Sequence, residues 1–325
     1  MDLKTVQKRI TYQGDLNKLF KLLAEDYSLG KYQSFVPVLH GYEDFNIILQ
    51  TSKGKFFVKL FANFRNSKDC RRYVNVIQTV IDSGINHPKL LQSTKGYFYE
   101  TTIDYQDIRL CVTEFIGGET FFRLHKKPQE NEIRFLIKQA ASINLIDHKP
   151  EFVRDSWAIS NLLEEYGKVK DVLPKDDSLL VEPVIKKYQN TDFDSLPHCF
   201  VHGDIIATNV MRAEDGSIYI IDFGVSNWYP RIQELAVILS DLLFIDNERI
   251  FTRNYVLALE EYQKLIKLEQ KELDILPTYI QFVQAMFVVA GTRERKFDKN
   301  VPEENNYLLK NGQDGLKFSH QFQSN

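Results

Sequence analysis

The segment Cys199-Phe-Val-His-Gly-Asp-Ile-Ile-Ala-Thr-Asn-Val-Met211 carries the densest chemistry in the chain, and Gly216-Ser-Ile-Tyr-Ile-Ile-Asp-Phe-Gly224 completes it. An apolar strand delivers His202-Gly203-Asp204, and Asn209 follows five residues after Asp204. A hairpin turn at Glu214-Asp215-Gly216 leads into a second strand ending at Asp222. The pattern predicts two antiparallel strands flanking a loop, with the oxygen-bearing side chains of Asp204, Asn209 and Asp222 around one point. Each piece alone is ordinary, since Asp in loops and Asp-Phe-Gly are common turn elements. The combination at this spacing is hard to explain as packing.

Phosphoryl transfer needs such a set. A γ-phosphoryl group and its leaving diphosphate carry heavy negative charge, which magnesium neutralises while preferring hard oxygen ligands. An amide oxygen plus a carboxylate leave coordination positions for phosphates. A separate carboxylate can orient an acceptor hydroxyl and take its proton.

The segment resembles the signature of the aminoglycoside phosphotransferase and choline kinase superfamily: His-Gly-Asp, four residues, Asn, then Ile-Asp-Phe. Tyr229-Pro-Arg-Ile-Gln-Glu-Leu-Ala236 is similar to the family's Pro-Arg-x-x-Asp-Leu-Ala helix start, with Glu234 where the family usually has Asp. The resemblance implies that Asp204 is the catalytic base or hydroxyl positioner, that Asn209 and Asp222 ligate magnesium, and that His202 buttresses the loop. It implies an α+β, bilobal, protein-kinase-like fold, with a small β-sheet N-lobe carrying one main helix and a larger helical C-lobe. ATP with Mg2+ would then bind in the cleft between the lobes, where pockets prefer to form.

The N-terminal half is strand-rich. A helix is predicted over 15–27, with strands near 34–39, 46–51 and 55–61. A second helix follows over 67–83, then strands over 96–102 and 110–115. Lys59 stands inside the apolar strand Lys55-Phe-Phe-Val-Lys-Leu-Phe61. Burying it is costly unless it meets an anion, such as the α- and β-phosphates of ATP. The alternative is an edge-strand lysine that snorkels to solvent. Val112-Thr-Glu-Phe-Ile-Gly-Gly118 resembles the family's hinge, which implies that backbone groups of Glu114 and Ile116 meet the adenine edge. The phosphate-covering position, Val38 to Asn46, carries Gly41 but no full G-x-G-x-x-G. Within the family, the Tyr27-Ser-Leu-Gly30 opening and the Gly41 to Asn46 turn are most similar to homoserine kinase-like members. The glutamate that such kinases carry on the helix after the lysine strand is missing. Asn75 stands at the matching position, and Asp69 is the nearest acid.

After Gly117-Gly118 the chain turns helical, with helices expected over 130–146, 155–168, 178–190, 230–245, 250–266 and 270–291. The expected organisation is an ATP-binding lobe over 1–116 ending in the hinge, and a catalytic and substrate-binding lobe over 117–325. The run Ile275 to Gly291, interrupted by Gln281 and Gln284, reads as a buried helix rather than a membrane span. Acceptor-pocket candidates are Asp155, Glu164, Glu165, Asp192 and Asp194, with Trp157 and Trp228 as stacking surfaces; solvated helix faces and core packing are the competing readings.

Of the 325 residues, 43% are hydrophobic and 26% charged, which suits a globular protein, and a net charge of -3 offers no basic excess for nucleic acid. Three dispersed cysteines without C-x-x-C spacing fit a reducing compartment. The expected protein is a cytoplasmic monomer or homodimer, with no membrane or nucleic-acid partner, moving a phosphoryl group to a small-molecule hydroxyl such as that of an aminoglycoside, homoserine or choline. A nucleotide-binding pseudokinase is the alternative. A protein kinase is disfavoured, because only Phe223 to Gln233 separate Asp222 from Glu234, too short for a phosphorylated activation loop.

Overall fold

A computed structural model describes residues 3–38, 44–299 and 302–322. The covering-loop glycine, Gly41, lies outside the described residues. The chain divides into two compact units, Met1–Gly117 and Gly118–Asn325. The first is built on an antiparallel sheet and the second is mostly helical.

In the first unit, α1 (Leu3–Gln7) and α2 (Leu16–Asp26) precede three strands, β1 (Tyr32–Val38), β2 (Phe45–Thr51) and β3 (Gly54–Leu60). Helix α3 (Ser67–Asp82) follows, then β4 (Tyr99–Ile103) and β5 (Gln106–Glu114). The sheet order is β1-β2-β3-β5-β4, antiparallel throughout. Strand β2 alternates strictly, burying Phe45, Ile47, Leu49 and Thr51, as a half-buried strand should. Phe45, Ile47 and Leu49 join Leu19, Phe20 and Leu23 of α2 in one core. Helices α2 and α3 start on side-chain caps: Asp15 accepts from the Asn17 amide, and Asn66 from the Asp69 amide. Strand β4 begins at Tyr99 rather than Gly96, because Gly96 closes a turn against Ser93.

In the second unit, β6 (Gly118–Thr120) leads through α4 (Phe121–Leu124) to α5 (Glu130–Asn144), α6 (Leu162–Val169) and α7 (Lys175–Gln189). The strand-rich island comprises β7 (His198–Val201), β8 (Val210–Ala213), β9 (Ile218–Ile220) and β10 (Asn227–Pro230). Helices α8 (Ile232–Ser240), α9 (Glu248–Gln263), α10 (Gln270–Arg293) and α11 (Glu303–Phe322) complete it.

Three expectations need correction. The helix expected over 155–168 is a 3-10 turn at Ile159–Asn161 followed by α6. The Asp155 carboxylate accepts from the Trp157 amide, and its carbonyl accepts from Ala158 N and Asn161 Nδ2, which diverts the backbone from a helix. The helix expected from 230 starts at Ile232, because Pro230 still pairs with His198 in the β7–β10 ladder. The two strands bracketing Asp204 to Asp222 also do not pair with each other: β7 pairs with β10, while β9 pairs with β8 and β8 with β6.

Helix α10 is long and apolar enough to span a membrane by composition, yet it is the buried centre of this unit. The two glutamines that interrupt its apolar run are satisfied inside the protein. Gln281 Oε1 accepts from Lys187 Nζ at 2.9 Å, and Gln284 Oε1 from Ser319 Oγ at 3.3 Å. Helix α11, which sequence periodicity did not suggest, packs along α10. It carries Gly312 and Gly315, which lower intrinsic helix propensity. A Cβ on Gly312 would lie 2.5 Å from the Gln284 carbonyl oxygen and 2.9 Å from Phe287 Cβ, so the glycine is what lets the two helices approach.

Gly312→Val should therefore lower unfolding free energy by about 2 kcal/mol or more, the ordinary cost of overpacking. Gly167→Ala, in α6 where a new Cβ meets nothing within 4 Å, should leave stability unchanged or raise it by about 0.5–1 kcal/mol. Chemical denaturation of both variants checks the pair.

Candidate active site

Strand β7 ends where the chemistry begins. His202 is fully buried, with its ring against Phe223 at a centroid distance of 4.3 Å. The Asp204 amide donates to His202 Nδ1 at 3.1 Å, so Nδ1 is an acceptor, and Nε2 donates to the Ile221 carbonyl at 3.1 Å. One neutral imidazole thereby ties the residue that precedes Asp222 to the loop that carries Asp204. Burial pushes its pKa down to about 4, which keeps that tautomer neutral.

The loop is fixed from three further sides. Glu234 on α8 is completely buried; its Oε2 accepts from the His202 amide at 2.7 Å and from Asn144 Nδ2 at 3.4 Å. Asn144 also donates to the Phe200 carbonyl at 2.9 Å and accepts from the Tyr262 hydroxyl at 2.7 Å. Asp241, at the end of α8 and equally buried, accepts from the Ala207 amide at 2.5 Å and from Asn311 Nδ2 at 3.0 Å. The Ala207 carbonyl in turn accepts from the Phe122 amide at 2.9 Å.

Within this frame Asn209 Nδ2 donates to Asp204 Oδ2 at 2.6 Å and to the Asp204 carbonyl at 3.0 Å. That spends the amide nitrogen and leaves the oxygen Oδ1 as a donor atom for a ligand. The Ile221 amide donates to the Asn209 carbonyl at 2.9 Å, which docks the approach to Asp222 against Asn209. Asp222 is exposed and adopts the left-handed region, φ 66°, before the 3-10 turn Phe223–Val225. That conformation is uncommon for a residue with a Cβ and is tolerated best by Asp and Asn. Desolvation, then the charges of Asp155 and Asp222, hold the Asp204 carboxyl well above the usual carboxylate range, against the opposing hydrogen bond from Asn209. Among the described residues no group of three or more His, Cys, Asp or Glu forms a self-sufficient metal cage. Asn209 Oδ1 and the Asp222 carboxylate are hard oxygen donors that fit a cation completing its shell with phosphate and water.

Asp155 is the one acceptor-pocket candidate whose charge acts on Asp204. Glu164 and Glu165 instead pair with Arg154 and Lys168, and Glu165 also with Arg293. Asp192 accepts from the Ser195 amide, and Asp194 is exposed. Trp228 lies in β10 with Lys149 over its ring. Sequence pattern alone does not mark Asn144 or Asp241 as site residues. A lone acid in the apolar run Ala236 to Phe244 was the available signal for Asp241.

In the first unit, Lys59 lies on β3 with its side chain 12% exposed. The sequence leaves open whether Asn75 or Asp69 stands in for the helix glutamate. Asn75 is exposed, and Lys59 Nζ meets Asp44 Oδ2 at 3.4 Å. Glu114 ends β5; its amide donates to the Lys89 carbonyl at 3.0 Å, so an adenine edge could use only its carbonyl. Ile116 lies in the irregular stretch 115–117.

Residues 34–268 match the model of the phosphotransferase enzyme family, and the chain belongs to that family. Among curated proteins it is 24% identical over 273 residues to homoserine kinase of Gluconobacter oxydans (strain 621H), covering 81% of this chain and 83% of that protein. It is also 24% identical over 269 residues to homoserine kinase of Bartonella henselae, covering 77% of each. Its fold is that of solved small-molecule kinases. A microcompartment-associated aminopropanol kinase superposes with a TM-score of 0.71 at 12% identity, covering 95% of this chain and 98% of the other. Spectinomycin phosphotransferase, in complex with ADP and spectinomycin, gives 0.68 at 14% identity with the same coverage. Amicoumacin kinase, in complex with AMP-PNP, Ca2+ and Ami, gives 0.67 at 14% identity, covering 99% and 100%.

The Glu234 carboxyl is pushed up to about 8 by burial, opposed by the hydrogen bonds from the His202 amide and Asn144. A folded pKa above the ordinary 4.5 means that its stabilising contribution is complete below about 4.5 and is lost as pH rises through about 8. Glu234→Gln keeps an acceptor for the His202 amide but cannot ionise. Its melting temperature should fall less between pH 5 and pH 9 than the parent's. Parallel falls in a calorimetric pH series would remove Glu234 as the cause.

Proposed function

We propose that this chain is an ATP- and magnesium-dependent kinase that moves the γ-phosphoryl group to the hydroxyl of a small amino alcohol, homoserine first among the candidates. The observation that carries the reading is the Asp204–Asn209 hydrogen bond beside Asp222, held by the neutral His202. Asp204 is the base or hydroxyl positioner: the hydrogen bond from Asn209 fixes its carboxylate in the loop that also carries Asn209. Asn209 Oδ1 and Asp222 hold Mg2+, which supplies charge neutralisation at the phosphates. Lys59 meets the α- and β-phosphates, and the backbone of Glu114 and Ile116 meets the adenine edge.

Family membership supports phosphoryl transfer, and the homoserine kinase relatives, matched over most of both chains, favour homoserine over an antibiotic. The nucleotide and Ca2+ in complexes of the structural neighbours favour a nucleotide with a divalent cation. Asp155, whose charge reaches Asp204, suits an acceptor bearing an ammonium group. We place the enzyme in the cytoplasm, as a monomer or homodimer, with residues 1–116 as the ATP-binding lobe and 117–325 as the catalytic and substrate-binding lobe.

Acceptor-dependent ADP release with magnesium-ATP is the test, run against homoserine, choline, ethanolamine, hydroxylysine, methylthioribose, aminoglycosides and macrolides. Homoserine should give the largest kcat/KM; another acceptor winning by a wide margin would displace it. Asp204→Asn should lower kcat by about 10²-fold or more while magnesium-ATP still binds. Unchanged turnover would remove Asp204 as the base. Asp222→Ala should weaken magnesium-ATP binding by about tenfold or more, since it removes a charged ligand; calorimetry showing equal affinity would refute that role.

A further inference from the structure

The largely buried lysine of β3 has a carboxylate from the start of the neighbouring strand beside it. Asp44 stands immediately before β2 and is 7% exposed. Asn46 is the cross-strand partner of Lys59, and Asp44 lies two residues earlier on the same side of the chain, so it occupies the diagonal position next to Lys59. Its Oδ2 is 3.4 Å from Lys59 Nζ. Its Oδ1 accepts from the Ala62 amide at 2.9 Å and from Arg65 Nε at 3.2 Å. Its carbonyl accepts from Arg9 Nη1 at 3.4 Å. On the other side, α3 offers Lys59 an aromatic face: the Tyr73 ring centroid is 4.6 Å from Nζ. Asn75 is exposed.

We infer that Asp44 is the positioning residue that holds Lys59 for the nucleotide phosphates, in place of an acid on α3. The inference rests on the reading of Lys59 as the phosphate-binding lysine. An ammonium group this buried needs an anion to offset its desolvation. A lysine without one loses the fixed geometry that makes it a phosphate ligand, since its four-carbon stem is otherwise free to rotate. Asp44 is itself immobilised by the Ala62 amide and by Arg65, so it can fix Lys59 rather than follow it. The anchor sits in the same sheet as the lysine, at the end of a neighbouring strand. Lysine placement in this chain therefore depends on β2–β3 pairing.

A double-mutant cycle on the full chain tests this, reading the dissociation constant for magnesium–AMP-PNP by calorimetry, with thermal unfolding of each variant as control. Lys59→Met should weaken binding at least tenfold, and Asp44→Asn at least fivefold. Asp44→Asn in the Lys59→Met background should change affinity by less than twofold, because the group it positions is gone. Asn keeps an acceptor for the Ala62 amide. Should that variant not fold, Asp44→Ser takes its place in the cycle with the same criteria. An equal loss from the Asp44 change in both backgrounds would mean that Asp44 only supports the local fold, and would overturn the inference. So would unchanged or tighter binding in Asp44→Asn while Lys59→Met weakens it. Unchanged binding in Lys59→Met would instead remove the phosphate role of Lys59 on which the inference stands.

Discussion

The buried hydrogen bond from the His202 amide to Glu234 is the constraint on which the candidate site depends. It joins the end of β7 to α8 in surroundings where an unmade polar contact would be costly. From that fixed amide the rest follows outward. The His202 ring accepts from the Asp204 amide and donates to the carbonyl preceding Asp222, so one side chain sets the relative heights of two acids. Asp241 performs the same service further along the loop through the Ala207 amide. The loop carrying Asp204 and Asn209 is thus pinned by side chains, not by a sheet ladder.

That pinning explains why Asp204 and Asp222 can lie near each other although β7 and β9 belong to different sheets. A continuous ladder would fix backbone spacing at the strand separation. A loop held by His202, Glu234 and Asp241 can instead present Asp204 and the Asn209 amide oxygen as a set, with Asp222 in a left-handed conformation that a strand could not supply. The cost is a fully buried acid whose carboxyl is pushed up by its surroundings. The return is a rigid frame for groups that must act on charged phosphates, where preorganisation counts most.

Local patterns were legible in the sequence where period and turn chemistry agreed. The strands near 46–51 and 55–61 and the Asp204, Asn209, Asp222 spacing could all be read directly. What could not be read depends on tertiary contact. The region around 155 looks helical until Asp155 turns its side chain and carbonyl onto the following amides. Helix α11 is disguised by Gly312 and Gly315, whose purpose is visible only against α10. Resemblance points to α3 for the partner of Lys59. Asp44 precedes another strand, and its role appears only once β2 and β3 are paired in register. Asp241 and Asn144 look like ordinary helix residues, and burial against the loop is what gives them a function.

The most direct measurement is phosphorus NMR of a reaction holding the full chain, magnesium-ATP and homoserine, followed in parallel with the Asp204→Asn protein. The account predicts a new phosphate-monoester resonance growing in step with ADP in the parent and absent in the variant. ADP appearing only with inorganic phosphate for every amino-alcohol acceptor, or ester formation persisting in the variant, would contradict it.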